Sequence, residues 1–196
     1  MNVITYYDML IDENNDPFRD PPVLQDYMNK WDGQAFIDSM KLDCTKSVLE
    51  IGVGTGRIAA KVAPLCLQFT GIDISPKTIA RARENLSNHQ NVALICSDFA
   101  QYTFESTFDV IYSSLTMMHF ENKKQILSKV AALLRTGGRF CLSIDKNQSE
   151  YIDMGTRKIR IYPDRLDELR LMITETSMHI ADQFETEFAH ILICEK

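Results

Sequence analysis

The chain has 196 residues, of which 45% are apolar and 24% charged, and its formal net charge is −6. This composition predicts one globular domain with a full core and excludes a disordered or fibrous chain. A negative charge with dispersed basic residues argues against nucleic acid as a partner. No apolar run is long enough to span a bilayer, so no membrane association is expected.

An apolar run at 47–51 stops at three glycines, and an apolar helical pattern follows at 57–62. This order predicts a buried strand, a tight turn and a helix. Glycines lack a Cβ, so the turn can adopt positive φ and a ligand can lie against bare backbone. The helix N-terminus is expected to add unpaired N–H groups. A small polar ligand, most simply a nucleotide, is expected here. The three glycines are Gly52, Gly54 and Gly56.

Two nucleotide-binding patterns fail at this turn. The dinucleotide fingerprint, counted from Gly52, needs a third glycine where this chain has Arg57. The phosphate-binding loop needs Lys and then Ser or Thr, and neither follows Gly56. What remains is acidic-x-Gly-x-Gly-x-Gly with Glu50 as the acid. This pattern resembles motif I of the class I S-adenosylmethionine-dependent methyltransferases, in particular the small type 11 and type 12 methyltransferase domains.

Two more acids follow predicted strands. The strand at 69–73 ends in Asp73, placed where an acid can bind ribose hydroxyls, and the strand at 92–96 leads to Asp98 and Phe99. Each acid alone could equally cap a helix or close a turn. Because parallel strands bring their carboxyl ends to one edge, we expect Asp73 and Asp98 to share a site with Glu50. In the resembled family the acid at Asp98 bonds the adenine amino group.

The resemblance implies S-adenosylmethionine as cofactor, S-adenosylhomocysteine as product, and no metal. The strand at 108–114 resembles the motif that runs under the methionine part. The turn at 133–140 resembles the family's Leu-x-Pro-Gly-Gly turn, with Thr136 in place of proline. The implied cofactor-binding residues are Glu50, Gly52, Gly54, Gly56, Asp73, Ile74, Asp98, Phe99, Ser113 and Ser114.

Alternating strands and helices over 46–145 predict a parallel sheet covered on both faces. Helices are expected at 122–135 and 164–174, and strands at 178–184 and 188–194 are separated by hairpin length. The resemblance implies a Rossmann-like three-layer α/β/α sandwich. Its seven strands have the order 3-2-1-4-5-7-6, with strand 7 antiparallel and a C-terminal β-hairpin.

The single domain is expected to span 1–196, with a cofactor-binding core at 46–145. Residues 1–45 carry many aromatics and are predicted to form a lid over the ligand or an anchor to the core. Residues 146–196 are expected to supply an acceptor-side loop, a helix and the hairpin. Within them, 157–162 alternates like an edge strand or flap.

The implied reaction is in-line methyl transfer to an oxygen, nitrogen or carbon nucleophile of a small molecule. A general base is needed only if the acceptor must lose a proton. His119, shortly after the fourth strand, is the candidate catalytic residue, since an imidazole titrates near neutral pH. A packing role for His119 is the alternative, and Asp145 and Tyr6 are weaker candidates.

Other functions remain open at this point. Protein and then RNA are less favoured acceptors, and the Asn/Asp-Pro-Pro-aromatic motif of DNA amino-methyltransferases is absent after the fourth strand. A non-catalytic S-adenosylmethionine-binding or protein-interaction module stays possible, and Arg57 disfavours an NAD-dependent oxidoreductase. Five scattered cysteines predict reduced core thiols in a cytoplasmic protein. The expected oligomeric state is a monomer or a homodimer.

Overall fold

A computed structural model describes residues 1–153, 155 and 157–196. The strands are β1 (Ser47–Ile51), β2 (Gln68–Asp73), β3 (Val92–Cys96), β4 (Phe108–Ser114), β5 (Leu134–Asp145), β6 (Tyr151–Asp153), β7 (Lys158–Arg160), β8 (His179–Glu185) and β9 (Ala189–Glu195). The α-helices are α1 (Val3–Asp12), α2 (Pro22–Asp32), α3 (Gln34–Ser39), α4 (Ala59–Val62), α5 (Pro76–Asn85), α6 (Lys123–Leu133) and α7 (Leu166–Thr174).

Seven strands form one sheet in the order β3-β2-β1-β4-β5-β9-β8. Strands β1 to β5 pair in parallel, and β9 pairs antiparallel with both β5 and β8. The predicted order 3-2-1-4-5-7-6 describes the same sheet, because β8 and β9 are its sixth and seventh strands when β6 and β7 are not counted. The Rossmann-like fold, its antiparallel seventh strand and its terminal hairpin are therefore confirmed.

Helices cover both faces of the sheet because neighbouring strand residues point to opposite sides. Leu49 belongs to a core cluster with Ile126 of α6 and Leu169 of α7. Val48 belongs to a second cluster with Phe36 of α3 and Ile79 of α5. All six side chains are fully buried, and each contributes roughly 1.5–3 kcal/mol by leaving water. The result is the expected three-layer arrangement.

The helix predicted at 57–62 is shorter than expected. α4 spans only Ala59–Val62 and passes into a 3-10 turn at Ala63–Leu65. The two predicted residues that the helix lacks, Arg57 and Ile58, belong to the preceding turn, and Pro64, which has no N–H to donate, keeps the helix from continuing beyond its predicted end. The dipole of a single helical turn is small, because few peptide dipoles add up. The N-terminus of α4 therefore contributes little to ligand binding, contrary to the expectation.

The stretch after β5 forms a small sheet of its own. β6 and β7 pair antiparallel, with Ile152 opposite Ile159. The predicted edge strand or flap is thus one arm of a two-stranded hairpin beside the main sheet. Met154 and Thr156, in the predicted acceptor-side stretch, lie outside the described residues.

The N-terminal segment packs across the carboxyl edge of the sheet. α1 contacts α5, and its Tyr6 is buried in a third cluster with Met118, Ile159 and Ile161. We call this set the outer cluster; it joins α1 to the β6–β7 hairpin. Arg157 also forms an ion pair with Glu13, at the end of α1.

Two further expectations from the sequence concern membrane spans and thiols. Within the described part of the chain, every helix falls short of the length and apolarity that a bilayer crossing requires. Cys66, Cys141 and Cys194 are buried free thiols, as predicted, whereas Cys44 and Cys96 are free but exposed. These two positions correct the expectation that all five belong to the core.

Candidate functional site

The glycine turn after β1 adopts left-handed backbone at all three glycines. Their φ angles are +80° at Gly52, +55° at Gly54 and +95° at Gly56. A Cβ at Gly52 would lie 2.0 Å from Thr116 Oγ1, and one at Gly56 would lie 2.9 Å from a Leu86 methyl carbon. A Cβ at Gly54 would meet nothing within 4 Å. Gly52 and Gly56 are therefore required by packing, and Gly54 leaves bare backbone beside open space.

A cavity of about 350 Å³ lies over this turn, at the carboxyl ends of the strands. Such a volume suits a small-molecule ligand. It is lined by Glu50, Asp73, Asp98 and Phe99, together with the backbone of the turn. The three acids predicted from separate strands thus share one site. Of the ten predicted cofactor-binding residues, Gly56 and Ser113 do not line it.

Asp73 both supports the turn and faces the cavity. Its Oδ2 accepts a hydrogen bond from Gly54 N at 3.0 Å, and its Oδ1 accepts one from Ser75 N at 3.0 Å. Burial raises the pKa of Asp73, and these backbone hydrogen bonds oppose that rise. Ile74 follows in the cavity wall. The alternative for Asp73 was that it caps α5, but the cap of that helix is Ser75, whose side chain accepts from Thr78 N. Asp73 faces the cavity, and ribose binding stays a prediction.

Glu50 lies at the floor of the cavity. Its side chain is buried, and its Oε2 accepts a hydrogen bond from the Tyr112 hydroxyl at 2.8 Å. Burial raises the pKa of Glu50 well above its usual value, while the Tyr112 hydrogen bond and the charge of Arg57 act in the opposite direction. A bound cation would relieve this cost by compensating the buried carboxylate.

Asp98 and Phe99 form the wall beyond β3. Asp98 Oδ1 accepts a hydrogen bond from Ala100 N at 2.8 Å, which fixes the carboxylate in a local turn. Phe99 is buried, and its ring centre lies 6.3 Å from that of Phe120, which also lines the cavity. This wall combines one acid with an apolar surface suited to a flat ring.

The two serines of β4 have different environments. Ser113 is buried and donates to the carbonyl of Ile51 at 3.1 Å, in the neighbouring strand. Ser114 lines the cavity and donates to Asp32 Oδ2 at 2.6 Å. Successive strand residues point to opposite faces, which explains why only one of the pair reaches the cavity.

Asp32, at the end of α2, is a cavity residue that sequence analysis missed. Its Oδ2 also accepts from Arg57 Nη2 at 2.5 Å, and both side chains are almost fully buried. Its Oδ1 is buried and has no hydrogen-bond partner among the residues described. No pattern singled out this aspartate, because it lies in a segment noted only for its aromatics. In the sequence, Arg57 served only as evidence against a dinucleotide site.

His119 lines the cavity and is paired with Tyr7 of α1. The Tyr7 hydroxyl lies 2.8 Å from His119 Nε2. Burial lowers the pKa of His119 to about 4, with a smaller contribution from the charge of Lys123. The imidazole is therefore neutral at pH 7. Tyr6, the weaker candidate, is buried in the outer cluster, and it is the neighbouring Tyr7 that reaches the cavity.

Within residues 1–153, 155 and 157–196, no three His, Cys, Asp or Glu side chains are grouped so that they could hold a metal ion.

The fold and the cavity together define a class I S-adenosylmethionine-dependent methyltransferase architecture. Residues 49–142 match the model of the family described as a methyltransferase domain. The match covers 94 of the 196 residues, so the central part of the chain is similar to this methyltransferase family.

One curated relative is similar to part of this chain. Nodulation protein S of Sinorhizobium fredii is 30% identical over 88 residues, which cover 45% of this chain and 41% of that protein. The match thus spans less than half of that relative's length.

Two solved structures show the same fold. The N-methyltransferase NodS from Bradyrhizobium japonicum WM9, in complex with S-adenosylhomocysteine, has a TM-score of 0.74 at 16% identity and covers 99% of this chain and 98% of its own. Magnesium protoporphyrin IX methyltransferase from Synechocystis PCC 6803, with bound S-adenosylmethionine, has a TM-score of 0.74 at 20% identity, covering 98% and 94%.

Proposed function

We propose that this protein transfers a methyl group from S-adenosylmethionine to a small-molecule acceptor. The observation that carries the proposal is the single cavity in which bare backbone at Gly54 meets the acids that end three parallel strands, Glu50, Asp73 and Asp98. Neither the dinucleotide fingerprint nor the phosphate-binding loop matches this turn, and an acid-rich cavity is a poor site for a pyrophosphate.

The charges of the cavity suit an amino-acid group at one end. Asp32 and Glu50 are buried acids, and Asp32 Oδ1 has no partner among the residues described. An ammonium group would supply both the missing donor and the compensating positive charge. Arg57, already paired with Asp32, is the cation available to a carboxylate. These three side chains fit the zwitterionic end of S-adenosylmethionine.

The opposite end of the cavity suits a nucleoside. We assign Asp73 to the ribose hydroxyls and Asp98 to the adenine amino group, since both acids line this cavity. Phe99 and Ile74 supply apolar surface for the purine ring. The roles of these four residues follow the family resemblance, and their shared position in the cavity supports it.

Methyl transfer requires little more from the protein than the positioning of the two reactants. S-adenosylmethionine, when bound, supplies a methyl group activated by a sulfonium. The protein holds the two reactants together and excludes water, with α1 closing the cavity through Tyr7. His119 is neutral at pH 7, but with a pKa of about 4 it is a weak base. Protonating it at pH 7 costs about 4 kcal/mol. His119 is therefore a candidate base only for a strongly acidic proton.

The experiment has two stages. Isothermal titration calorimetry with S-adenosylmethionine, S-adenosylhomocysteine and NAD is expected to show binding of the two adenosyl compounds and none of NAD. Transfer of label from methyl-labelled S-adenosylmethionine to a library of small acceptors then tests turnover. Binding of NAD in preference to the adenosyl compounds would overturn the proposal.

A small acceptor is supported by the surface charge. The net charge is −6, and a phosphate backbone would meet mostly negative surface. If the protein binds S-adenosylhomocysteine tightly but transfers label to no member of the library, while adding label to a protein extract, the small-acceptor part is wrong and the methyltransferase part stands.

A further inference from the structure

A second cavity adjoins the first and has a distinct chemical character. Its volume is about 450 Å³, and Tyr7 and Leu115 line both cavities. Leu115 follows β4 directly and has a φ of +52°, a conformation rare for a leucine and maintained only by its surroundings. The two cavities therefore meet at a fixed boundary beside His119.

The walls of the second cavity carry acids and no bases. Asp145, Asp153 and Asp164 line it, and among the residues described no Lys, Arg or His does. Asp145 is half-buried at the end of β5 and has no ion-pair partner within the described part of the chain. Asp153 lies 3.6 Å from the exposed Lys158 ammonium. The cavity therefore has an excess of negative charge.

Asp164 is the most constrained of the three acids. Only 3% of its surface is exposed, and its Oδ1 accepts from Lys123 Nζ at 2.6 Å. Its Oδ2 is buried and finds no hydrogen-bond partner among the described residues. An unsatisfied carboxylate oxygen at such depth is costly, and few are left so in folded proteins.

Lys123 cannot satisfy that oxygen. Its ammonium has three protons, and they are taken by the carbonyl of Met117 at 2.9 Å, the carbonyl of Tyr162 at 2.8 Å and Asp164 Oδ1. A donor for Asp164 Oδ2 must therefore come from outside these contacts. Asp145 is close enough for its charge to raise the pKa of Asp164, an effect secondary to burial. One external cation would compensate both carboxylates.

We propose that the second cavity binds a protonated amine of the methyl acceptor, between Asp145 and Asp164, so that the acceptor is a small cationic amine. This rests on the proposed function, because the cavity is taken as the acceptor side of the methyl donor site. The ammonium donates to Asp164 Oδ2 and Asp145. The apolar surfaces of Met118, Ile152 and Ile161 contact the acceptor's carbon frame.

The test uses simple probes on protein saturated with S-adenosylhomocysteine. Butylammonium, neutral butanol and anionic butyrate share a carbon chain and differ in charge. Titration followed by amide NMR is expected to shift the signals of Met118, Asp145 and Ile161 with butylammonium alone. Equal shifts with butanol or butyrate, or none with butylammonium, would overturn the proposal.

Variants separate charge from structure. Asp145→Asn keeps the shape of the side chain and is expected to weaken butylammonium binding by about tenfold, as for a lost charged hydrogen bond. Asp182→Asn is the control, since Asp145 and Asp182 each accept one local backbone N–H at 2.8 Å, from Asn147 and Gln183. Equal loss in both variants, or no loss in Asp145→Asn, contradicts the assignment.

The affinity for S-adenosylhomocysteine, measured by calorimetry in the same variants, is expected to stay unchanged. This measurement distinguishes the two proposals: failure of butylammonium to bind while S-adenosylhomocysteine binds refutes only the amine site. Failure of S-adenosylhomocysteine to bind refutes the proposed function itself.

Discussion

Gly52 shows how closely the turn is fitted to its neighbours. Its φ of +80° favours glycine, and the side chain of Thr116 occupies the space that a Cβ would take. Gly137 has a similar φ of +76°, but a Cβ there would meet nothing within 4 Å. An alanine at either position would be strained by the positive φ, but only at Gly52 would it also collide with a neighbouring side chain.

Gly52→Ala is expected to cost more stability than Gly137→Ala. Strain alone accounts for about 1 kcal/mol at Gly137, while the collision at Gly52 raises its cost to at least about 3 kcal/mol. Urea unfolding of both variants measures the difference. Equal losses would show that Thr116 moves away without cost.

Asp73→Ala tests the acid of the second strand. The variant is expected to bind S-adenosylhomocysteine about ten- to a hundredfold more weakly, because hydrogen bonds from ribose hydroxyls to a carboxylate are lost. It also loses the acceptors of Gly54 N and Ser75 N, so its melting temperature is expected to fall. Calorimetry and thermal unfolding record the two effects separately.

Asp109→Ala is the matched control for Asp73→Ala. Asp109 accepts a backbone hydrogen bond from Ser47 N at 2.8 Å, but it lies at the start of β4, away from the cavity. It is expected to lose stability and keep its affinity. Normal binding by Asp73→Ala would refute the assignment of Asp73.

The sequence predicted the strand-end acids because one rule fixes their position: parallel strands end at the same edge. It did not predict Asp32 or Tyr7. Both belong to helices that precede the sheet, and a helical pattern does not tell which residue will lie over a distant cavity. The start of α4 was predicted two residues too early, because Arg57 and Ile58 still belong to the glycine turn.

At the scale of elements, α1 is held by the outer cluster and by a set of polar contacts to the start of α5. Asp8 Oδ1 accepts from Ser75 Oγ at 2.7 Å and from Lys77 N at 3.2 Å, and Asp12 pairs with Lys77 Nζ at 2.6 Å. Partly exposed contacts of this kind contribute little to stability. Apart from the outer cluster, α1 takes no part in the two large core clusters. It is therefore suited to open and close over the cavity.

Asp8→Ala is expected to loosen α1 while leaving the sheet intact. Dissociation of S-adenosylhomocysteine should become several-fold faster, since most affinity changes among variants of one site lie in the dissociation rate. The melting temperature should change little. Surface plasmon resonance measures the rate, with Asp26→Ala on the exposed side of α2 as control. Unchanged dissociation in Asp8→Ala would favour the anchor over the lid.

At the scale of the whole molecule, the free energy of unfolding at acidic pH depends on two kinds of buried group. Their protonation changes it in opposite directions. The pKa of His119 falls to about 4 in the folded state from an ordinary value of 6.5. Between these values the unfolded chain binds more protons, so stability falls as pH decreases from 6.5 to 4. Burial raises the pKa of Glu50, Asp73 and Asp164, and these groups act in the opposite direction.

Comparison with His119→Gln isolates the histidine. Between pH 7 and pH 4 the wild type is expected to lose roughly 3 kcal/mol more than the variant. Urea unfolding at a series of pH values measures this difference. Parallel curves for the two proteins would mean that His119 is protonated as readily in the folded state as in the unfolded one.

The outer cluster has a consequence for how such a protein diversifies. Tyr6, Met118, Ile159 and Ile161 join the N-terminal helix to the small hairpin without involving a strand of the main sheet. Under the proposed function, the walls on the acceptor side are thereby held to each other, and the floor on the donor side is held by the sheet. Insertions or exchanges in the hairpin can alter which molecules are accepted while the donor floor keeps its geometry, so selectivity and cofactor use can change independently over evolutionary time.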